Sequence, residues 1–276
     1  MAALNGWVCQ EVAVKLDQVM TPSPITVEAE TPISRLALAF VQNSLSHLLV
    51  VDDDRRLLGL VIEANVFKYG TFDLDRSWQP FRVDDYQPVA RDLLAAAELV
   101  LRPSEEVRVA LDGFMRGVAD AAVMVDSEHK PVGIFTEHDA VRMAAESLSE
   151  DLLATQCSGT TVLALPIDST AGDAVDILAV ADIRHLVVLD QNRLAGVLSW
   201  RDLLESNASR NRGRSIRSML AETAVETAGT DATLRSVADQ MVRQRIGCVP
   251  ILDEGGKVQG LVTRIDLMRA MRQSAL

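Results

Sequence analysis

One pattern of hydrophobic and polar positions occurs four times along this chain. In each copy, apolar residues recur at i, i+3, i+4, i+7 and i+8, the spacing of an amphipathic helix that buries one face. The four stripes are Ile33, Leu36, Ala37, Phe40 and Val41; Val107, Ala110, Leu111, Phe114 and Met115; Ala171, Ala174, Val175, Leu178 and Ala179; and Leu234, Val237, Ala238, Met241 and Val242.

A short apolar run that ends in aspartate follows each predicted helix, and a polar turn and a glycine come next. The runs are too short for helices and rich in Val and Leu, so they predict buried strands joined by hairpin turns to further strands. The glycines, 74, 63 and 64 residues apart, are Gly59, Gly133, Gly196 and Gly260. With a first strand in stretches such as residues 24–27 and a closing helix, each repeat is predicted to be β-α-β-β-α.

We predict an α+β fold whose repeats cover residues 15–70, 89–147, 152–207 and 214–273, with a spacer at 71–88 and a linker at 208–213. A unit of roughly 55 residues buries too little surface to be stable alone. The repeats are therefore predicted to pack in two pairs, first with second and third with fourth. Aromatic residues between positions 68 and 88 predict an elaborated loop or short helix there; with Pro80 they are Trp78, Phe81 and Tyr86.

Composition narrows the class of protein. A hydrophobic fraction of 48% with 24% charged residues is typical of a globular chain, and a net charge of −12 opposes non-specific binding to nucleic acid or anionic membranes. One basic stretch stands out, with Arg210, Arg212, Arg214 and Arg217. It is interpreted either as a solvated linker or as a local site for phosphate or an acidic partner.

Cysteine usage and hydropathy predict a cytoplasmic protein. Cys9, Cys157 and Cys248 are isolated thiols without a CxxC pair, as expected in a reducing compartment. The first residues lack the features of a signal peptide, and the longest uncharged stretch, residues 152–167, is too short and too polar to span a bilayer.

The order of strand, hairpin and Gly-apolar-apolar-Thr/Ser-x-x-Asp resembles the cystathionine-β-synthase-type (CBS) domain. Residues 248–253, CVPILD, and 260–266, GLVTRID, are similar to the family pattern almost letter for letter, and the likeness runs from about residue 15 to about 272. Met20 and Met219 match the methionine with which the family leads into its first strand.

The resemblance implies pseudo-twofold pairs of repeats, called Bateman modules, whose clefts bind adenosine-containing ligands. Four repeats imply two modules that stack into a flattened disc. The expected role is regulatory, with an adenine nucleotide (AMP, ADP or ATP) as ligand, no required cofactor and an unidentified protein partner; a homodimer is compatible with it.

The Thr/Ser-x-x-Asp element has two compatible interpretations. As a capping box, the hydroxyl and the acid satisfy free N–H groups at a helix start. As a ligand site, the helix N-terminus and the hydroxyl attract phosphate and the acid accepts the ribose hydroxyls. The predicted ligand residues are Thr136, Asp139, Ser199, Asp202, Thr263 and Asp266. The first repeat has Ile62 and Asn65 instead, so the second, third and fourth repeats are predicted to carry binding.

Several basic side chains are candidates for contact with the ligand. Arg201 and Arg264 lie inside the motif and are suited to neutralise phosphate, and His138 lies on the first helical turn. His185 and His47 start equivalent strands and are interpreted as buried, satisfied histidines or as ligand contacts.

The sequence contains no HExxH, GxSxG or P-loop motif and no clustered metal ligands, so no catalysis and no metal site are predicted. The leading hypothesis is an adenine-nucleotide sensor acting on a partner protein. The alternatives are a constitutive interaction scaffold with vestigial clefts, and a sensor of S-adenosylmethionine or a cyclic dinucleotide.

Overall fold

Each repeat folds as a short strand, a helix, an antiparallel pair of strands and a second helix, preceded by one short helical turn. The computed structural model describes residues 14–72, 78–80, 87–158, 162–205, 211–220 and 225–273. The α+β fold of four tandem repeats is as predicted.

The first pair of repeats contains the following elements. Repeat 1 and the spacer after it comprise α1 (Leu16–Val19), β1 (Thr21–Pro22), β2 (Thr26–Glu28), α2 (Ile33–Asn43), β3 (His47–Val51), β4 (Leu57–Ile62), α3 (Glu63–Val66), β5 (Gly70–Phe72) and β6 (Trp78–Pro80). Repeat 2 comprises a 3-10 turn (Ala90–Leu93), β7 (Val100–Leu101), α4 (Val107–Met115), β8 (Ala121–Val125), β9 (Pro131–Thr136) and α5 (Glu137–Ser147).

The second pair repeats this order. Repeat 3 comprises α6 (Ala154–Cys157), β10 (Ala164–Pro166), α7 (Ala171–Ala181), β11 (His185–Asp190), β12 (Arg193–Ser199) and α8 (Trp200–Glu205). Repeat 4 comprises a 3-10 turn (Ile216–Ser218), β13 (Ala228–Gly229), α9 (Leu234–Gln244), β14 (Cys248–Leu252), β15 (Val258–Thr263) and α10 (Arg264–Gln273).

Every repeat has the same sheet topology. The first strand runs parallel to the second, as where Thr26 lies opposite Leu49, and the second pairs antiparallel with the third, as where His185 lies opposite Ser199. The middle strands are the most buried because they have neighbours on both edges and helices over one face.

The predicted helix stripes are buried except at the partly buried Val175 and at the fifth position, which is exposed in repeats 1 and 3 and partly buried in repeats 2 and 4. Ile33, Leu36, Ala37 and Phe40 are at most 1% exposed, whereas Val41 is 51% exposed. The fifth position lies eight residues after the first, about 80° around a helix of 3.6 residues per turn, so it leaves the buried face. Ala179 in repeat 3 is exposed for the same reason.

The four motif glycines show how the repeats pair. A Cβ on Gly196 would lie 2.6 Å from Leu220, and one on Gly260 would lie 2.5 Å from Ser158. Each obstructing residue belongs to the segment that leads into the partner repeat. Gly59 and Gly133 meet Ala95 and Met20 in the same way. Glycine is therefore required where the partner's lead-in segment crosses the third strand.

Strand pairing confirms the predicted pairs. Thr21 in β1 pairs with Ile134 of repeat 2, and Ala95 of repeat 2 forms a bridge to Leu60 of repeat 1. A shared core of both sheets lies between these repeats. The two pairs then meet through helices, because α5 of repeat 2 packs on α9 and α10 of repeat 4.

The structure shows what two further segments form: the spacer and the basic stretch. The spacer contains an antiparallel ribbon of β5 and β6 where a loop or short helix was expected, and Phe67 meets Trp78 edge-on at 5.9 Å between ring centroids. The basic stretch pairs with acids of repeat 3: Arg212 contacts Asp176 at 2.7 Å and Arg217 contacts Asp168 at 2.9 Å. The remaining positions discussed above that lie outside the described residues are Cys9, Phe81, Tyr86 and Arg210.

Candidate ligand-binding site

The Thr/Ser-x-x-Asp elements form capping boxes where a third strand becomes a helix. In repeat 2, Thr136 ends β9, and its backbone N–H and hydroxyl donate to Oδ2 of Asp139 at 2.9 and 2.8 Å. Ser199 and Asp202 form the same bonds at 2.7 Å each, and Thr263 and Asp266 at 2.8 and 2.7 Å. One carboxylate oxygen of each acid is therefore committed to the cap, and only Oδ1 remains for other partners.

The three acids differ in what binds Oδ1. Arg142 donates to Asp139 at 2.7 Å, and Arg269 donates to Asp266 at 3.2 Å, each from one turn further along the helix. In repeat 3 the equivalent position is Glu205, an acid. Among the described residues, Oδ1 of Asp202 has no hydrogen-bond partner. The third repeat therefore has an open carboxylate where the second and fourth repeats have an ion pair.

Asp202 lies within electrostatic range of His185 and Cys248, where repeats 3 and 4 meet beside Gly247 and Arg264; we call this contact region the 3/4 cleft. His185 lies opposite Ser199 in the sheet, and a Cβ on Gly247 would lie 2.7 Å from its Nε2 and 3.9 Å from Cζ of Arg264. Only glycine therefore lets the imidazole lie directly against the backbone of repeat 4.

Burial and charge set the protonation states in the 3/4 cleft. Burial, with the positive charges of Arg184 and Arg264, lowers the pKa of His185 to about 4, against a small opposing effect of Asp202. Burial also raises the pKa of the Cys248 thiol to about 12. At neutral pH the imidazole and the thiol are both uncharged, so the charges of this cleft belong to Asp202 and the arginines.

The equivalent cleft between repeats 1 and 2, bordered by Ser46, His47 and Asp120, is closed by its own side chains; we call it the 1/2 cleft. His47 is buried, and its Nε2 lies 2.9 Å from Oδ1 of Asp120. Asp120 occupies the repeat position of Gly247. Burial opposes ionisation of Asp120, but the hydrogen bond and charge of His47 outweigh it and lower the pKa of this carboxyl.

A charge cluster from three repeats adjoins the 3/4 cleft. Glu137, 3% exposed, accepts from Nη1 and Nη2 of Arg184 at 2.9 and 2.7 Å, and from Nη1 of Arg264 at 3.3 Å. Glu137 and Arg264 occupy the same motif position in repeats 2 and 4. The buried Nε of Arg264 has no hydrogen-bond partner among the described residues.

The sequence-predicted residues thus divide into groups. His185, Asp202 and Arg264 border the 3/4 cleft, and Ser199 caps the helix that carries Asp202. Thr136 and Asp139 belong to repeat 2, where the exposed His138 has a lowered pKa because of partial desolvation and nearby arginines, partly offset by Asp139. Arg201 lies in α8, but its side chain is outside the described part of the structure.

Sequence reasoning missed the residue that precedes each middle strand. These residues are Ser46, Asp120, Arg184 and Gly247. They differ in charge and size between repeats, and each lies beside a motif helix, as where the N–H of Glu137 donates to the carbonyl of Asp120 at 3.0 Å. A position-by-position comparison of the four repeats would have identified them.

The comparison with known families decides the classification. The CBS domain model matches residues 16–70, 90–146, 157–209 and 216–273. This chain belongs to the CBS-domain family. Its four CBS repeats occupy most of its length.

Several proteins are similar to this CBS protein along nearly all of the chain. The uncharacterised protein MJ1225 of Methanocaldococcus jannaschii is 19% identical over 89% of this chain and 94% of its own. Its crystal structure, described as that of a proposed archaeal homologue of γ-AMPK, aligns at a TM-score of 0.70 and 18% identity over 94% of this chain and 100% of that one.

Two further proteins extend the comparison. An uncharacterised conserved protein of Pyrococcus horikoshii aligns with a TM-score of 0.65 and 18% identity over 94% of this chain and 100% of that one. MJ1404 of M. jannaschii is 24% identical over 91% of this chain, which spans only 60% of MJ1404. These likenesses establish the four-repeat fold.

The described residues contain neither a candidate membrane span nor a candidate metal site. No helix in these ranges is long and apolar enough to cross a membrane. Across the same ranges, no group of three or more His, Cys, Asp or Glu side chains is arranged to hold a metal ion.

Proposed function

We propose that this CBS protein is a non-catalytic regulator that binds an adenosine-containing ligand in the 3/4 cleft and relays its presence to a partner protein. The single observation that carries the proposal is the open carboxylate of Asp202. A carboxylate oxygen without a partner is a strong acceptor for the hydroxyls of a ribose. In repeats 2 and 4 the same oxygen is bound by an arginine.

The rest of the cleft is suited to the remainder of such a ligand. The neutral His185 lies directly against the backbone of Gly247, and an uncharged imidazole is a suitable contact for a base or a sugar. Arg264, at the start of α10, supplies a cation whose buried Nε has no hydrogen-bond partner in the described part of the chain. The N-terminus of a helix adds a favourable field for an anion.

The other motifs are proposed as weaker sites. Asp139 and Asp266 would have to release Arg142 and Arg269 before either could accept a ribose, and each is only 8% exposed. In repeat 1, Nζ of Lys68 donates a hydrogen bond to Oδ1 of Asn65 at 2.9 Å, and Ile62 has no hydroxyl group. We therefore expect the third repeat to bind the ligand most tightly, the second and fourth repeats to bind it more weakly, and the first repeat not to bind it.

A non-catalytic role is consistent with the chemistry of the cleft. A thiol whose pKa is near 12 is protonated at neutral pH and is a poor nucleophile, so Cys248 is proposed as a packing residue. A neutral His185 with a pKa near 4 is also far from the range of an efficient general base.

The relay follows from where the cleft lies. A ligand in it touches repeats 3 and 4, and the nearby Arg184 and Arg264 are bound by Glu137 of repeat 2. Ligand binding would therefore favour one relative orientation of the two pairs, and a partner would recognise that orientation.

A thermal-shift panel tests this function. AMP, ADP, ATP, S-adenosylmethionine and a cyclic dinucleotide are compared with GMP as the control. A ligand at 100 times its dissociation constant adds about 2.7 kcal/mol to the free energy of unfolding, or a shift of about 5 °C for a chain of this size. No shift with any adenosine compound at millimolar concentration would contradict the proposal.

One observation favours a second candidate function for half of the molecule. The 1/2 cleft is filled by the contact between His47 and Asp120. We propose that the first pair acts as a structural support against which the second pair moves. A scaffold role for the whole chain would be the conclusion if the panel fails.

A further inference from the structure

Glu137 is a buried acid that lies between the cations of the two repeats forming the 3/4 cleft. Burying a carboxylate is costly unless charged hydrogen bonds replace its hydration. Arg184 supplies two such bonds and Arg264 a third, and these arginines belong to repeats 3 and 4. The acid therefore binds, from inside the molecule, the groups that an anionic ligand would use.

The charges around His185 show how Glu137 affects the binding of an anion. Among the described residues, the charges that act on the pKa of His185 are those of Arg184, Arg264 and Asp202. Glu137 offsets part of the positive charge of the two arginines. A ligand that brings several negative charges would leave them uncompensated next to two carboxylates.

With Glu137 bound to both arginines, Arg264 retains a limited capacity to bind an anion. Arg264 has a buried Nε without a partner among the described residues, and its bond to Glu137, at 3.3 Å, is the longest of the three. Arg184 is already held by two bonds of normal length to the same carboxylate. One phosphate can bind Arg264 without breaking the pair between Arg184 and Glu137, whereas a polyphosphate needs both arginines.

We infer that Glu137 determines ligand specificity in the 3/4 cleft by selecting an adenosine compound with at most one phosphate over di- and triphosphates. The inference rests on the proposed adenosine site and names its ligand class more narrowly. Glu137 acts by occupying the arginines, so its removal should create affinity for phosphate chains without changing recognition of the nucleoside.

The test compares Glu137→Gln with Glu63→Gln, the same motif position in repeat 1, by calorimetry at constant low ionic strength. Wild type is expected to bind AMP more tightly than ATP. In Glu137→Gln the affinity for adenosine should stay within a factor of two, while the affinity for ATP should rise about tenfold, the effect of one hydrogen bond to a charged group. Glu63→Gln should behave as wild type. An equal gain for adenosine and ATP, or none for either, would overturn the inference.

Two further measurements keep the result decisive. If Glu137→Gln folds poorly, wild type alone suffices, because tighter binding of ATP than of AMP excludes the selection we infer. Tripolyphosphate is the second probe, expected to bind Glu137→Gln but neither wild type nor Glu63→Gln. If no adenosine compound binds wild type, the proposed function fails, and tripolyphosphate still shows whether Glu137 blocks the arginines.

Discussion

The two pairs of repeats share one fold but differ in how their clefts are filled. In the 1/2 cleft, the histidine that starts the middle strand is bound by the carboxylate of Asp120 from the partner repeat. In the 3/4 cleft, the equivalent histidine, His185, lies opposite Gly247. A single position, acidic in one pair and glycine in the other, thus determines whether this histidine is bound by a carboxylate or lies against the backbone of the partner repeat.

The acids of the motif show the same contrast. Where a cation lies one turn further along the helix, as Arg142 and Arg269 do, the carboxylate is paired within its own repeat. Where the sequence has Glu205, it stays open. A capping box is thus a helix start in every repeat that has one, and under our proposal it binds a ligand only where the second oxygen is left free.

The largest expected effect comes from making the second pair resemble the first. Gly247→Asp places a carboxylate beside His185, where even a Cβ would lie 2.7 Å from Nε2. We expect the affinity for the adenosine ligand to fall more than about 100-fold, since the new side chain displaces the imidazole and adds a negative charge to the 3/4 cleft. The matched control is Gly213→Asp, at a glycine with nothing within 4 Å of its Cβ direction. Retention of binding within threefold in Gly247→Asp would show that the ligand lies elsewhere.

The next effect separates ligand binding from helix capping. Asp202→Asn should weaken binding about ten- to a hundredfold because a charged acceptor is lost, while the change at the helix cap costs only about 1 kcal/mol of stability. Asp139→Asn should lower the melting temperature and leave the tightest binding unchanged. Both quantities are measured on both variants. If the two variants behave alike, with lower stability and unchanged affinity, the motif is only a cap.

A smaller effect compares the rigidity of the two pairs. A Cβ on Gly59 would meet the backbone oxygen of Ala95, whereas one on Gly196 would meet the tip of Leu220. Since a backbone oxygen cannot rotate away, Gly59→Ala should cost about 1 to 3 kcal/mol in chemical denaturation, and Gly196→Ala should cost less. The reverse order would mean that the second pair is the more rigid one.

The smallest effect concerns pH. The pKa of His185 is about 4 in the folded protein and about 6.5 in the unfolded chain. The unfolded state therefore binds more protons between these values, and stability falls as the pH decreases from 6.5 towards 4, by at most about 1.4 kcal/mol per pH unit.

Two variants check the assignment of this pH dependence. His185→Gln should reduce the slope between pH 6.5 and 5, with His138 supplying the remainder because its pKa is also lowered. Asp126→Asn is the control from the first pair. Backbone N–H groups of Lys130 and Glu128 lower the pKa of Asp126, so its contribution is lost only in stronger acid and the slope above pH 5 should not change. An unaltered slope in His185→Gln would contradict the assignment.

The fold was predictable from periodicity because four aligned copies reinforce each other. The helices, hairpins and pairing all followed from spacings that the printed sequence contains. The exposure of the i+8 residues Val41 and Ala179 was not predicted, since it depends on their exact angle around the helix, and the ribbon of β5 and β6 was not predicted because it depends on local strand pairing.

The candidate site was only partly predictable. The motif residues and Arg264 follow from sequence, but the state of each acid depends on what reaches Oδ1. Glu137, Arg184 and Gly247 come together from three repeats, and no local pattern in one repeat indicates that Glu137 bonds to Arg184 across 47 positions. Long-range ion pairs of this kind require the assembled fold.

The most direct test of the account is a crystal structure of the full chain with AMP at a concentration that saturates the first binding event. The account predicts density for one nucleotide in the 3/4 cleft, with the ribose hydroxyls on Oδ1 of Asp202, and an intact contact between His47 and Asp120 in the 1/2 cleft. Density in the 1/2 cleft or against Asn65, with the 3/4 cleft unoccupied, would contradict it.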